Sequence, residues 1–247
     1  MSGQRFSLDP LRALSYIGAC ALLAACPARR PPPPLVPVAL APASRDSAVG
    51  WTRTTLSRRP TLIRFRWRYE DERVKYAGRG SARIAPPDSM RFDYAGPFGL
   101  GSGAAVVIGD SVAWADPEEN FRSLVPAIPM LWAALGMVQP PAEDAEVFGA
   151  ASADTTGATR RLMWRFAQRE DTLDYLATES VGGRSLLEAE WRRSGKVVAR
   201  SRSQFDAQAR PASARVDFPE ASARFELTVL AVDTAAVIPP ALWRSRR

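Results

Sequence analysis

Few side chains in this chain of 247 residues could do covalent chemistry. Histidine is absent throughout, which removes the commonest general base, the Ser-His arrangements and most zinc sites in one step. Serine and aspartate are present, but a serine without a base is a weak nucleophile, so the sequence implies no catalytic group, no cofactor and no metal. The cysteines, Cys20 and Cys26, both fall near the start. Cys26 closes the run Leu22-Leu23-Ala24-Ala25-Cys26 and is followed by Pro27, Ala28, Arg29 and Arg30. Arg5 and Arg12 form a short basic region, residues 13–25 an apolar stretch, and small residues precede the cysteine, which is the pattern of an export signal. The stretch is too short to span a bilayer as a helix, which takes about 20 apolar residues. Removing residues 1–25 leaves Cys26 as the only thiol, so the exported chain closes no intramolecular disulfide and is held together by its core.

The second constellation is Tyr94-Ala95-Gly96-Pro97-Phe98-Gly99-Leu100-Gly101-Ser102-Gly103, a linker whose glycines and proline carry two large apolar side chains. If the loop is exposed, Phe98 and Leu100 make an apolar tip suited to the interfacial region of a membrane or to an acyl chain. If it folds back, Phe98 closes the end of a barrel. The residues alone leave both open.

Charge narrows the partners. The formal net charge is +7 and is carried almost entirely by arginine, since Lys75 and Lys196 are the only lysines. Acidic residues are interleaved throughout, whereas a nucleic-acid binder concentrates its charge in a patch with stacking aromatics. No nucleic acid is implied. Anionic lipid headgroups suit a positive surface held beside a membrane.

These residues need elements to position them. Pro31 to Pro34, Pro37 and Pro42 favour extended polyproline II geometry, which makes residues 26–43 a tether. Residues 44–59 predict one short helix, with Ser44 as its cap and Ala48, Thr52 and Leu56 at helical spacing, weakened by Gly50. From Thr61 the period changes to two. Ile63, Phe65, Trp67 and Tyr69 share one face and Arg64, Arg66 and Arg68 the other, as a strand buried on one side requires. Val74, Tyr76, Gly78, Gly80, Ala82 and Ile84 follow, the two glycines marking a bend or a close backbone approach. The alternation recurs at Met90, Phe92 and Tyr94, at Leu162, Trp164 and Phe166, at Leu173 and Tyr175, and at Leu187, Ala189 and Trp191. Val197, Ala199 and Phe205, then Val216 and Phe218, then Phe225, Leu227 and Val229 continue it. With residues 104–110, 111–115 and a short piece near Phe121, about eleven antiparallel strands are expected.

So many strands with one apolar face must bury it, and the helices are too few for an α/β sandwich, so the sheet curls on itself. Residues 128–138 are the exception: Ile128, Leu131, Trp132, Leu135 and Val138 recur at helical spacing between prolines. That apolar helix plugs the open side, either as plain core or as a lid. The expected fold is all-β dominated (α+β), a half-open antiparallel β-barrel over residues 44–235 with a tail at 236–247. Ile63, Phe65, Trp67, Phe92, Trp164, Trp191 and Phe225 line its interior, and nothing demands an oligomer.

Leu23-Ala24-Ala25-Cys26 resembles the lipobox of bacterial lipoproteins, a resemblance that implies a thioether-linked diacylglycerol on Cys26. The alternative is an ordinary signal peptide cleaved after an alanine. The order of tether, short helix, amphipathic strands, a third strand ending in Gly-Pro-Phe-Gly, and the proline-flanked helix at Ala127-Ile128-Pro129 is similar to LolB, the outer-membrane receptor of bacterial lipoprotein localisation. In that family a leucine protrudes from the turn that Pro97, Phe98 and Gly99 match, and it releases cargo into the membrane; phenylalanine here preserves an apolar tip. The resemblance implies a cavity for acyl chains, lipid or acylated lipoprotein as cargo, and a lipid anchor in the outer membrane facing the periplasm, since Pro27 stands where an inner-membrane retention signal places aspartate. LolB-like lipoproteins of unknown function share the architecture. A second reading is therefore a non-enzymatic assembly lipoprotein whose barrel, packed solid, serves as a protein-binding scaffold.

Overall fold

The computed structural model describes residues 35, 39–96, 101–119, 121 and 127–244. Cys26 with the export segment, and Phe98 and Leu100, lie outside the described residues. The strands, in chain order, are β1 (Ala41–Pro42), β2 (Thr61–Glu70), β3 (Lys75–Ala85), β4 (Ser89–Ala95), β5 (Gly103–Ile108), β6 (Ser111–Asp116), β7 (Glu146–Ala153), β8 (Thr159–Gln168), β9 (Asp171–Ser180), β10 (Gly183–Arg193), β11 (Lys196–Phe205), β12 (Pro211–Phe218) and β13 (Ala223–Asp233). They form one antiparallel sheet of 13 strands in the order β1-β7-β8-β9-β10-β11-β12-β13-β2-β3-β4-β5-β6. Two meanders, β2 to β6 and β7 to β13, are joined by the pairing of β13 with β2. Among the described residues the sheet keeps two unpaired edges, β1 and β6, and so is half-open rather than closed.

Its curvature follows from the period of two. Along β2, Thr61, Ile63, Phe65 and Trp67 are buried while Arg64, Arg66 and Arg68 are exposed. The inward residues of β2 to β5 and of β7 to β13 meet in a single apolar core. Two helices cover it. Helix α1 (Arg45–Thr55) is capped by Ser44, whose Oγ accepts the Ser47 N–H at 3.2 Å, and it buries Ala48, Trp51, Thr52 and Thr55. Gly50 faces open space there, so it costs the helix only its propensity. Helix α2 (Ile128–Ala134) joins β6 to β7, running from one meander to the other.

The strand tally differs from the expected eleven for local reasons. Phe121 is helical and buried rather than part of a strand. Strand β7 reads Glu-Val-Phe-Gly-Ala-Ala-Ser-Ala, where small residues erase the alternation, and β1 lies inside the proline-rich segment, paired at Ala41↔Gly149 and Pro42↔Phe148. Helix α2 also stops short of Val138. Gly136 sits at φ +80, its N–H donates to the Ala133 carbonyl at 2.9 Å, and the Met137 N–H donates to the Trp132 carbonyl at 2.9 Å. A left-handed glycine with these two bonds ends a helix whatever the periodicity beyond it. Two residues of the C-terminal tail are held on the outer face, where the Arg91 guanidinium donates to the Leu242 carbonyl and Trp114 Nε1 donates to the Trp243 carbonyl at 3.0 Å.

Candidate functional site

The interior has a wall and a plug. The wall is strongest on β2 to β4, where Phe65 lies opposite Gly80 and Trp67 opposite Gly78. A Cβ at Gly80 would come within 2.5 Å of the Phe65 ring, and one at Gly78 within 2.8 Å of the Trp67 indole and 1.9 Å of the Ala95 carbonyl. The glycines foreseen as a close approach therefore let these rings lie flat across the neighbouring strand. Phe65 then stacks on Phe92 with centroids 5.2 Å apart, Trp67 meets Phe225 at 6.4 Å and Tyr94 edge-on at 6.3 Å, and Phe92 meets Phe121 at 6.2 Å. Ile63, Phe65, Trp67, Phe92 and Phe225 are all buried here. Trp164 is partly buried on the far side, stacked on Trp51 of α1 at 5.7 Å, and Trp51 leans on Tyr175 at 6.0 Å. Burial pushes the Tyr175 phenol well above its ordinary pKa. Trp191 is a rim residue: its ring is partly buried, Nε1 donates to Asp171 at 2.9 Å, and the Arg193 guanidinium lies 4.8 Å over the ring.

The plug is α2. From Met130 to Val138 every residue is buried, Leu131, Trp132 and Leu135 among them, while Ile128 is partly buried. A helix apolar on all sides has no solvent face and must sit inside something. It packs on β10, β11 and β12. Among the described residues its polar ties to the surrounding structure are few. Ser203 Oγ donates to the Ala133 carbonyl at 2.6 Å, Trp132 Nε1 to the Gly109 carbonyl at 2.7 Å, and the Arg184 guanidinium to the Gly136 carbonyl at 3.2 Å. The Val138 N–H donates to Thr55 Oγ1 at 2.8 Å, which fastens the segment after α2 to α1. Arg184 lies over the Phe205 ring at 5.4 Å, and burial pulls its pKa below the ordinary arginine range.

Sequence reasoning missed Trp51 as a core residue, and Ser203 and Arg184 as partners of the plug. Trp51 was legible, since it falls three residues after Ala48 on the same helix face; Ser203 and Arg184 act through backbone carbonyls that no side-chain pattern reveals. Trp51 Nε1, Trp164 Nε1 and Tyr94 Oη are buried donors with no hydrogen-bond partner among the described residues. Beside the two ends of the Phe98 loop, a groove of about 440 Å³ is lined by Tyr94, Ser102 and Gly103 together with Arg91, Asp93 and Asp116. Its walls are mixed, with Trp114, Ala104 and Pro117 beside the charged residues, and Arg91 is already held by Asp93 at 2.9 Å.

No family model and no curated protein matches the chain. Solved structures do. A LolA superfamily protein from Nitrosomonas europaea superposes with a TM-score of 0.54 at 11% sequence identity, covering 82% of this chain and 98% of that one. A domain from Vibrio parahaemolyticus named for outer membrane lipoprotein sorting gives 0.49 at 9% identity, over 81% and 100% of the two chains. A DUF1329 family protein from Desulfovibrio piger gives 0.45 at 8%, over 81% and 95%. The first likeness shows the fold, which is LolA/LolB-like: an open antiparallel sheet wrapped around a short helix.

Proposed function

We propose that this protein is a lipid-anchored envelope protein that takes the acyl chains of lipid or of acylated lipoproteins into its barrel, with α2 withdrawing to admit them. The observation that carries the reading is α2 itself, a helix buried on all sides yet belonging to neither edge of the sheet and tied by few polar bonds. Its withdrawal would expose an apolar trough walled by Phe65, Phe92 and Phe225 on one side and Leu187 and Ala199 on the other. The unpartnered indole donors of Trp51 and Trp164 suit an ester or carboxylate at the head of such a chain. The fold of the LolA superfamily protein supports the reading, as do the lipobox-like run ending in Cys26 and the apolar pair Phe98 and Leu100, which serve here as anchor and membrane-facing tip. The envelope location, outer membrane facing the periplasm, belongs to the same proposal, and no catalytic group takes part.

One experiment tests the binding step: titration of the purified protein with a fluorescent fatty acid, followed by lipid extraction and native mass spectrometry. Saturable binding of one or a few acyl chains is expected, and Ser203→Ala, which loosens α2, should bind more tightly than the parent. Absence of uptake by both would overturn it and favour the scaffold reading, which the close packing of the interior aromatics supports. The anchor has its own test: Cys26→Ala should abolish palmitate labelling and Cys20→Ala should not.

A further inference from the structure

The convex face of the sheet is not uniform in charge. Over most of it, carboxylates bridge the arginines: Glu190, fully buried, takes Arg192 and Arg200; Asp217 takes Arg215 and Arg224 at 2.7 and 3.1 Å; Asp93 takes Arg83 and Arg91. In the middle of β2 and β3 this pattern stops, between the Arg83–Asp93 pair towards one end of β3 and the Lys75–Glu70 pair at the other. Arg64, Arg66 and Arg79 are exposed and have no carboxylate partner among the described residues, and Arg66 stands directly opposite Arg79 in the antiparallel register. Like charges placed opposite one another destabilise a sheet. The neighbours that face this trio across the ladders are Ser81, Ala95, Thr228 and Ala231, all short and uncharged. Arg68, next along β2, is outside the trio, since it stands opposite Glu226. Alternate residues on a strand are about 6.6 Å apart and neighbouring strands about 4.8 Å, so the guanidinium stems form a close-spaced grid on one face.

We infer that this arginine face of β2 and β3 is a docking surface for the phosphates of anionic membrane lipids. Folding gains nothing from the arrangement, whereas a guanidinium fork matches phosphate oxygens two at a time. The short neighbours leave the forks unobstructed. Being short, they supply no large apolar anchor of the kind a specific protein partner needs at its centre, while a fluid sheet of phosphates requires only charge density. This surface lies on the opposite side of the wall from the acyl-binding interior and does not depend on it.

The test is flotation of the full chain carrying Cys26→Ser, so that no attached lipid contributes, with phosphatidylcholine vesicles containing or lacking about a third phosphatidylglycerol. Binding should require phosphatidylglycerol and fade as salt rises from about 0.1 to about 1 M, where the screening length falls from about 10 to about 3 Å. Each arginine at an anionic surface is worth about fivefold in partitioning, so the Arg64→Gln, Arg66→Gln, Arg79→Gln triple variant should bind about a hundredfold less. Arg202→Gln with Arg215→Gln, on the paired part of the face where Arg202 meets Glu188 at 3.7 Å and Arg215 meets Asp217 at 2.7 Å, should match the parent. The triple variant should melt at or above the parent temperature, because a like-charge opposition has been removed. Equal vesicle binding by the triple variant, or binding indifferent to phosphatidylglycerol, overturns the inference. So does a marked fall in its melting temperature, or retention by duplex DNA in preference to the vesicles.

Discussion

The wall at β2 to β4 and the plug at α2 are equally buried and equally apolar, yet they are fastened in different ways. The wall is secured by continuous backbone ladders and by rings that lie across glycines, so each aromatic is fixed by the strand beside it. The plug depends on burial plus a handful of side-chain bonds to backbone carbonyls. Burial alone therefore does not say which part of a core is permanent. What distinguishes the two regions is the number of bonds that must break together before the apolar surface can separate, and by that measure the helix is the removable part.

The largest expected effect falls on the wall. Phe92 is fully buried between Phe65, Tyr94 and Phe121, and truncating a buried phenylalanine to alanine costs about 3 to 5 kcal/mol. Phe92→Ala should lower the denaturation midpoint by that amount in a urea melt without improving acyl-probe uptake. The plug is expected to behave differently. Leu131→Ala should cost nearer the lower end of the range of about 2 to 5 kcal/mol for buried leucines, because α2 can shift to fill the space, and it should raise probe affinity. If both variants lose equal stability and neither changes uptake, wall and plug are one rigid core and the comparison collapses.

A smaller effect isolates a single tie. Ser203 is fully buried and its hydroxyl satisfies the Ala133 carbonyl near the end of α2. Ser203→Ala removes that bond while the Gly136 N–H still reaches the same carbonyl, a loss of about 0.5 to 1.5 kcal/mol. Hydrogen exchange should then speed up in α2 while the β2 and β3 amides stay protected. Acceleration spread evenly over both would show that the helix does not open on its own.

How much of this was legible in the sequence follows the same division. The wall was readable because each strand states its own face: Ile63, Phe65 and Trp67 against Arg64, Arg66 and Arg68 is a statement about burial that needs no knowledge of the rest of the chain. The apolar helix was equally plain, but its end was not, because Gly136 stops it through backbone geometry while Val138 continues the side-chain pattern. Strand β7 was silent since its small residues carry no alternation and Gly149 exists to fit the Trp164 ring, 3.1 Å from where a Cβ would sit. Trp191 fell on the expected face but at the rim, where an aspartate and an arginine claim it. The ties of the plug involve carbonyls, which every residue has, so no residue type announced them.

The smallest expected effect separates the two regions by pH. The turn between β2 and β3 is organised by Asp71, whose carboxylate accepts the Arg73 N–H at 2.7 Å, the Val74 N–H at 2.8 Å and the Tyr69 hydroxyl at 3.1 Å. Those backbone bonds favour the charged form and hold the Asp71 pKa below the usual carboxylate value. A group whose pKa is depressed on folding contributes stability above its unfolded value, about 4, and that stability is lost as pH falls through the folded value. The plug has no such dependence, since Ser203, Trp132 and Thr55 do not titrate and Arg184, though lowered, stays charged in acid. Asp206 and Asp154 are also held low in their turns, so acid weakens the parent at several points. Asp71→Asn isolates one of them. Comparing melts near pH 6 and pH 3, the variant should lose less on acidification than the parent, with the difference confined in hydrogen exchange to the β2 and β3 amides. An equal acid loss in both proteins, or one that appears first in α2, would show that acid opens the molecule at the plug and that the wall is not where its titratable stability resides.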